Sequence, residues 1–189
     1  TRFYDVKKGS VTIDDINVKE ASLTSLRREV GVLMQEPFIF KGTILENIRY
    51  GRADATDEEC IAAAKTIFAD DFICKLTDGY SHVLEERGLG LSAGERQLLS
   101  FARIILKNPS VIILDEATSS IDTETEALIQ QALSVILKDK TAFMVAHRLS
   151  TIRSADRILY ISNKGIAEQG SHEELMEKKG LYYALNQKA

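Results

Sequence analysis

The sequence has few of the residues that mark disulfide-rich, zinc-binding or disordered chains. Only two cysteines occur, Cys60 and Cys74, and they form no CxxC pair, which argues against a disulfide or zinc framework. The two prolines suit long helices and uninterrupted strands better than a disordered linker. A reducing, cytoplasmic setting is therefore expected.

Long apolar runs and an excess of basic residues are also lacking. No run approaches the roughly 18 to 20 residues that span a bilayer, and no signal-peptide pattern precedes the first strand pattern. We expect a chain that neither crosses a membrane nor is secreted, which leaves docking on a membrane protein open. The net charge of −4 argues against a nucleic-acid partner. The length of 189 residues suits one domain, 1–189, with a sizeable core.

Short apolar segments alternate with longer segments of helical periodicity. Continuous apolarity over four or five residues predicts strands buried on both faces, as in a parallel sheet. The spacing of Thr56 from Glu59, and of Ser92 from Glu95, predicts two capping boxes that open helices. The predicted strands are Gly31–Met34, Val111–Leu114, Phe143–Ala146 and Ile158–Ile161, and the helices are Cys60–Phe68, one opening at Ser92, Thr123–Leu137 and Ser171–Lys178.

The alternation is interrupted from about residue 37 to residue 91. This stretch is mostly helical in pattern and has no clear buried strand, so we predict a helical subdomain inserted into a core of residues 1–36 and 92–189. Near the end, Arg157–Ser162 and Ile166–Gln169 flank a turn containing Gly165, which predicts a hairpin. The fold class is α/β with a parallel-sheet core.

Polar side chains follow three of the predicted strands. Gln35 ends the first, Asp115 and Glu116 end the second, and His147 ends the third. Because the carboxyl ends of parallel strands meet at one edge, these groups would converge on one crevice. Gln35 alone is equally well explained as a structural residue, and for His147 alone the structural explanation is favoured. Adjacent carboxylates repel unless a cation or a proton transfer uses them, so the set predicts a metal-assisted phosphate site.

The segment Leu91-Ser92-Ala93-Gly94-Glu95 opens a predicted helix. The free N–H groups and the positive dipole end of a helix start favour an anion, and small residues let a phosphate approach the backbone. A simple capping box explains the same residues, so this segment alone leaves both interpretations open.

Together these segments resemble the ordered motifs of ATP-binding-cassette (ABC) ATPases. Leu91–Glu95 resembles the signature, and Val111–Ser119 resembles the Walker B strand with its continuation. Gln35 matches the Q-loop glutamine, Asp122 lies in a segment that resembles the D-loop, and His147 resembles the switch histidine. The resemblance covers the whole chain and implies a P-loop NTPase-like sheet core with a helical subdomain.

Two further segments resemble exporters in particular. Glu86-Arg87-Gly88 resembles the segment that exporters place against their transmembrane partner, and Pro37–Ile44 has an exporter-like sequence. The resemblance therefore implies a transport-coupled ATPase at the cytoplasmic face of the cell membrane, held there by a transmembrane domain that this chain does not contain.

The resemblance implies ATP and Mg²⁺ as ligands. Asp115 would help to hold Mg²⁺, Gln35 would sense the metal and the attacking water, Glu116 would be the general base, and His147 would contact the γ-phosphate. The implied partner is a second nucleotide-binding domain, identical or different, facing the first head to tail. Across that dimer, Ser92 and Gly94 would grip the γ-phosphate of the opposite ATP, and Asp122 would reach over the seam.

The sequence departs from the family pattern in its phosphate loop. No G-x-x-x-x-G-K-[ST] motif occurs, and the family pattern places it just upstream of Thr1. We therefore expect a truncated cassette without measurable ATPase activity of its own. The family places the phosphate-loop strand beside the Walker B strand, so marginal stability, or pairing with another chain at that edge, is also expected.

A second departure lies in the signature, where LSGGQ is usual and this chain has Ala93 and Glu95. A negative charge favours a helix start but would repel a phosphate. Either the chain is half of a heterodimeric exporter with one weakened ATP site, or the changes are tolerated variants.

A regulatory cassette that clamps ATP without turnover is disfavoured by Glu116. A cassette of chromosome maintenance or translation is disfavoured by the exporter-like segments, and an importer type stays open.

Overall fold

The computed structural model describes residues 1–115, 123–145 and 152–187, with the side chains of residues 123 and 124 outside that set. Two compact units are present, Thr1–Phe143 and Met144–Ala189. The strands are β1 Thr12–Ile13, β2 Ile16–Asn17, β3 Val30–Leu33, β4 Gly42–Thr43, β5 Val83–Leu84, β6 Val111–Asp115, β7 Thr141–Val145, β8 Ile158–Ser162 and β9 Gly165–Gly170. The helices are α1 Leu23–Glu29, α2 Ile44–Arg49, α3 Asp57–Thr66, α4 Asp70–Ile73, α5 Ala93–Lys107, α6 Thr123–Leu137, α7 His172–Lys178 and α8 Leu181–Asn186.

Strands β3, β6 and β7 form a three-stranded sheet in the order β3-β6-β7. Strands β3 and β6 are parallel, and their register pairs Val30 with Val111 and Leu33 with Leu114. Leu33, Ile112 and Leu114 are buried. The predicted α/β class with a parallel sheet is confirmed.

The prediction that every strand is buried on both faces is wrong for β7 and β8. Phe143 and Val145 are both 58% exposed, and in β8 only Ile158 is buried. Strand β7 lies at the edge of its sheet, and β8 pairs antiparallel with β9 as a hairpin. Each such strand alternates between a covered and an open face, which apolar composition alone does not reveal. The predicted bounds of β3 were also one residue late, and Met34 is exposed.

The expectation that the Walker B strand lacks a partner is also wrong. This strand is β6, which has β3 on one side and β7 on the other. In the described part of this sheet, β3 and β7 are the outer strands and each pairs on one side only, and Phe143 and Val145 lie exposed on β7. Pairing with another chain stays a prediction, and an outer strand, β3 or β7, offers the edge for it.

Helix α5 is the main packing element of the first unit. Its buried residues recur at helical spacing and pack against α2, α3, α6 and β3. The helix is capped by Asn108, whose φ of 48° is left-handed, and the Nζ of Lys107 donates to the carbonyl oxygen of Val30 at 2.8 Å. The end of α5 is thereby fixed to the start of β3. Its buried residues are Gly94, Leu98, Leu99, Phe101, Ala102, Ile104 and Leu106.

Residues 37–91 contain α2, α3, α4 and two turns of 3₁₀ helix, at Gly79–Ser81 and Glu86–Gly88. The predicted helical character is confirmed, apart from the two-residue strands β4 and β5. The boundaries of the proposed subdomain stay a prediction. Helices α1 and α8 and the β1-β2 hairpin were missed, because such short elements carry too little periodicity.

Four of the described helices begin with a capping box, in which the N-cap hydroxyl accepts an N–H and a glutamate accepts in return. The predicted boxes at Thr56 and Ser92 are confirmed. Those at Thr43 and Ser171 were missed, although the Ser/Thr-x-x-Glu spacing was visible in the sequence. Among the described residues, no helix is long and apolar enough to span a bilayer.

The second unit has a small core of Ile158, Leu175 and Tyr182, beneath the β8-β9 hairpin. The hairpin turn places Asn163 at φ 49° and Lys164 at φ 63°. Asparagine tolerates this left-handed conformation, whereas lysine is strained in it and glycine is not.

We expect Lys164→Gly to raise the free energy of unfolding by about 0.5–1 kcal/mol, measured by urea denaturation. The matched change Asp15→Gly, at φ 63° in the β1-β2 turn, should raise the free energy of unfolding by less, because aspartate adopts the left-handed conformation more readily than lysine. A loss of stability in Lys164→Gly would contradict the strain argument.

Candidate functional site

Two of the predicted site residues lie at the same edge of the central sheet. Asp115 is the last residue of β6, and Gln35 follows the end of β3 by two residues. Because β3 and β6 are parallel and Leu33 pairs with Leu114, both side chains leave the sheet at the carboxyl ends of adjacent strands. Adjacent strands lie about 5 Å apart. Both residues are exposed, so the edge is open to a ligand.

Three other predicted site residues, Glu116, Asp122 and His147, lie outside the described residues. In the sequence, Glu116 directly follows β6 and His147 follows the end of β7 by two residues. Their roles stay predictions that rest on the resemblance.

The signature residues lie at the start of α5. Ser92 is the N-cap, and its Oγ accepts the N–H of Glu95 at 3.2 Å, while the Glu95 carboxylate accepts the N–H of Ser92 at 2.7 Å. Gly94 is buried in the first turn. Within the described ranges, no hydrogen bond joins Ser92 or Gly94 to Gln35 or Asp115. Ser92 and Gly94 thus lie on one helix start, and Gln35 and Asp115 lie at the strand ends.

Three aromatic side chains form an exposed cluster shortly after Gln35, and we name Phe38, Phe40 and Tyr50 the aromatic platform. The ring centroids of Phe38 and Phe40 are 4.8 Å apart, and those of Phe40 and Tyr50 are 4.1 Å apart and stacked. Phe38 and Tyr50 are each 60% exposed. Sequence reasoning missed this cluster, because the three residues fit neither a helical nor a strand period.

Arg103 of α5 holds the aromatic platform from beneath. Its guanidinium donates to the carbonyl oxygens of Asn47 and Phe38 at 2.7 and 2.6 Å, and to the Oδ1 of Asn47 at 2.7 Å. It also lies 5.5 Å from the ring centroid of Phe40 and 5.9 Å from that of Tyr50. Burial lowers the pKa of Arg103 to about 10, so it stays protonated at neutral pH. One side chain thus ties the signature helix to the segment after Gln35.

The two exporter-like segments contact each other. The N–H of Arg87 donates to the carbonyl oxygen of Ile39 at 3.1 Å, and Lys41 forms an ion pair with Glu85 at 3.2 Å. Arg87 has a φ of 62°, a left-handed conformation that is uncommon for a residue with a side chain. These contacts place the Glu86–Gly88 turn beside the chain segment that carries Phe38 and Phe40.

A family model described as "ABC transporter" matches residues 1–119. The chain belongs to the ABC transporter family. The matched range contains Gln35, Leu91–Glu95 and Val111–Ser119, the segments that carry the resemblance.

Relatives of known sequence support the exporter type within the ABC family. YknV of Bacillus subtilis strain 168, described as an uncharacterized ABC transporter ATP-binding protein, is 54% identical over 98% of this chain and 31% of its own length. A putative multidrug export ATP-binding/permease protein of Staphylococcus aureus is 51% identical over 96% of this chain and 31% of its own.

A solved structure agrees in fold. The structure of a bacterial Atm1-family ABC exporter with ATP bound aligns with this chain at a TM-score of 0.91 and 41% sequence identity. The alignment covers 99% of this chain and 33% of the exporter chain. The predicted resemblance to the exporter type of ABC nucleotide-binding domain is confirmed. The chain spans about one third of the length of these relatives.

The side chains of Asp115 and Gln35 offer oxygen ligands of the kind that Mg²⁺ binds. A carboxylate and an amide oxygen are hard donors, and Mg²⁺ in nucleotide sites uses one or two such protein ligands together with phosphate oxygens and water. In the part of the chain that the structure describes, no cluster of three or more metal-binding side chains occurs. Asp115 and Gln35 are thus donors of the kind that Mg²⁺ uses beside a nucleotide.

Proposed function

We propose that this chain is the ATP-binding and ATP-hydrolysing part of an ABC exporter, which powers export through the transporter's membrane domain. The main support is the placement of Gln35 and Asp115 at one open edge of adjacent parallel strands. In open α/β sheets this edge is where ligands bind. The relatives named as export and ATP-binding proteins support the same direction.

Within this proposal, Asp115 and Gln35 hold Mg²⁺ at the nucleotide. The metal supplies charge neutralisation at the phosphate oxygens. Glu116 accepts the proton of the attacking water as general base, and His147 contacts the γ-phosphate.

The proposed partners are a second nucleotide-binding domain and a transmembrane domain. Ser92 and Gly94 bind the γ-phosphate of the partner domain's ATP, and Asp122 reaches across the seam. The aromatic platform, next to the Glu86–Gly88 turn, receives the transmembrane domain at the cytoplasmic face of the membrane. No nucleic-acid partner is proposed.

The test is MgATP binding and turnover by two proteins: the 189-residue chain, and the same chain joined to a segment that supplies a phosphate loop. The chain has no G-x-x-x-x-G-K-[ST] motif, so we expect no measurable turnover from it alone and turnover from the joined protein. Turnover by the chain alone would overturn the expected inactivity. A folded joined protein that neither binds nor hydrolyses MgATP would count against the proposed function.

A further inference from the structure

The loop that carries Gln35 is supported at its ends and not along its length. It begins after the buried Leu33 at the end of β3 and runs to Phe38. Within the described part of the chain, Gln35, Glu36 and Pro37 make no hydrogen bond and no ion pair. Gln35 and Glu36 are also exposed, so packing does not hold them either. The position of Gln35 therefore depends on what fixes the two ends of the loop.

Arg103 fixes the far end of this loop. Its guanidinium donates to the carbonyl oxygen of Phe38 at 2.6 Å, and this carbonyl is the first hydrogen-bonded backbone group after Gln35 among the described residues. The guanidinium also donates to the Oδ1 of Asn47 at 2.7 Å. Asn47 in turn binds the N–H and the carbonyl oxygen of Phe40, each at 3.0 Å. Arg103 thus holds the segment after the loop both directly and through Asn47.

The Arg103 side chain is itself held at both ends. Its neighbours Ala102 and Leu106 on α5 are buried, which fixes the helix that carries it. At its head, the guanidinium lies 5.5 Å from the ring centroid of Phe40 and serves three acceptors at once. A planar donor fork in such a setting has little freedom to move, so it can act as a rigid tether.

We propose that Arg103 is a positioning residue for Gln35: by holding the carbonyl oxygen of Phe38, it keeps Gln35 at the sheet edge that also carries Asp115. In the described residues Arg103 bonds to neither Gln35 nor Asp115, so it acts through the loop. Without Arg103, the first fixed group after Gln35 is the carbonyl oxygen of Ile39, and the longer free segment has more conformations. The consequence for Mg²⁺ rests on the proposed function, in which Gln35 and Asp115 bind the metal.

The first experiment measures ¹⁵N backbone order parameters in the labelled 189-residue chain without denaturant. In the parent chain, we expect values above about 0.7 at Gln35 and Glu36, near those of a rigid backbone. In Arg103→Met, both values should fall below about 0.6, while the value at Ile112 in β6 stays as in the parent and shows that the sheet is folded.

A milder variant, Arg103→Lys, covers the case in which Arg103→Met does not fold. Lysine keeps the positive charge and the apolar stem, but its ammonium ends one atom short of the guanidinium nitrogen that reaches Phe38. We therefore expect the order parameters of Gln35 and Glu36 to fall in Arg103→Lys as well.

Two controls separate the tether from a general loss of stability. Lys107→Met removes a charged donor from the same helix, but the lost bond goes to Val30 at the opposite end of β3. Leu133→Ala leaves a cavity beside the buried face of α6 and destabilises the fold without touching the loop. Both variants should keep the parent order parameters at Gln35 and Glu36.

Three results of this experiment would overturn the inference. The parent chain could already have order parameters below about 0.6 at Gln35 and Glu36, which would show that Arg103 does not hold the loop. A folded Arg103→Met or Arg103→Lys could keep the parent values. Leu133→Ala could lower them by the same amount.

A second readout tests the positioning in the chain joined to a phosphate loop. In Arg103→Lys, the Mg²⁺ concentration for half-maximal MgATP turnover should rise about three- to tenfold, with kcat at saturating Mg²⁺ within about twofold of the parent. A merely structural loss would lower kcat and leave the Mg²⁺ requirement unchanged. A loosened loop with an unchanged Mg²⁺ requirement would overturn the positioning of Gln35 for the metal. Failure of the proposed function is distinct, because it appears as absent turnover in the joined parent protein.

Discussion

Replacing Arg103 with methionine is expected to lower the free energy of unfolding by about 2–4 kcal/mol. Methionine keeps an apolar stem but removes the donors that serve the carbonyl oxygens of Asn47 and Phe38. Hydrogen bonds from a charged donor are worth more than neutral ones, and partly buried acceptors left unpaired carry a further cost. Within the described residues Arg103 has no carboxylate partner, so no opposite charge is left unpaired by the change.

Urea unfolding followed by far-UV circular dichroism measures this loss. The matched control is Lys107→Met on the same helix, which removes a single hydrogen bond to Val30 and should cost about 1 kcal/mol. Equal losses in the two variants would contradict the network at Arg103.

A double-mutant cycle tests whether Arg103 stabilises the fold through its contact with Asn47. Asn47 is fully buried, and its amide also binds the backbone of Phe40 and Thr43. Combining Arg103→Met with Asn47→Ala should give a coupling energy of about 1 kcal/mol or more, since the residues share hydrogen bonds. Additive losses would show that the bond to the Asn47 Oδ1 contributes little, and that Arg103 acts through the backbone carbonyl oxygens of Asn47 and Phe38 and through the aromatic rings.

A neighbouring glycine shows how closely this region is packed. A Cβ at Gly51 would overlap the backbone carbonyl oxygen of Arg103, so only glycine lets the chain after α2 approach α5. The aromatic platform is therefore fixed to the signature helix through both backbone and side chain.

The sequence predicted the elements whose signal is local. Capping boxes at Thr56 and Ser92 are read from four consecutive residues, and α6 from its fifteen-residue span. The adjacency of Gln35 and Asp115 followed from the rule that parallel strands end at one edge, applied to two apolar segments. These predictions needed no knowledge of distant neighbours.

What the sequence did not reveal depends on contacts between distant residues. Arg103 lies 56 residues from Asn47, and nothing in its helical period distinguishes it from a solvated arginine. Phe143 looked like a core residue because its segment is apolar, but its exposure is set by which strands lie beside β7. The order of strands in a sheet is not encoded in the composition of any one strand.

Asp115→Asn and Glu116→Gln, in the chain joined to a phosphate loop, are expected to lose MgATP turnover by about 100-fold or more, for different reasons. Asp115→Asn removes a charged ligand, so the Mg²⁺ concentration needed for half-maximal ATP binding should rise. Asp115 is exposed and has no hydrogen-bond partner among the described residues, so the fold should tolerate the change.

Glu116→Gln keeps the polar volume and removes the base, so ATP binding and its Mg²⁺ requirement should stay near the parent values while turnover is lost. Measuring both quantities in both variants separates a hydrolysing domain from a regulatory cassette that only clamps ATP. If Glu116→Gln keeps the parent turnover rate, Glu116 is not the base. If Asp115→Asn leaves the Mg²⁺ requirement unchanged, the metal is held elsewhere, and the edge formed by Gln35 and Asp115 loses its proposed role.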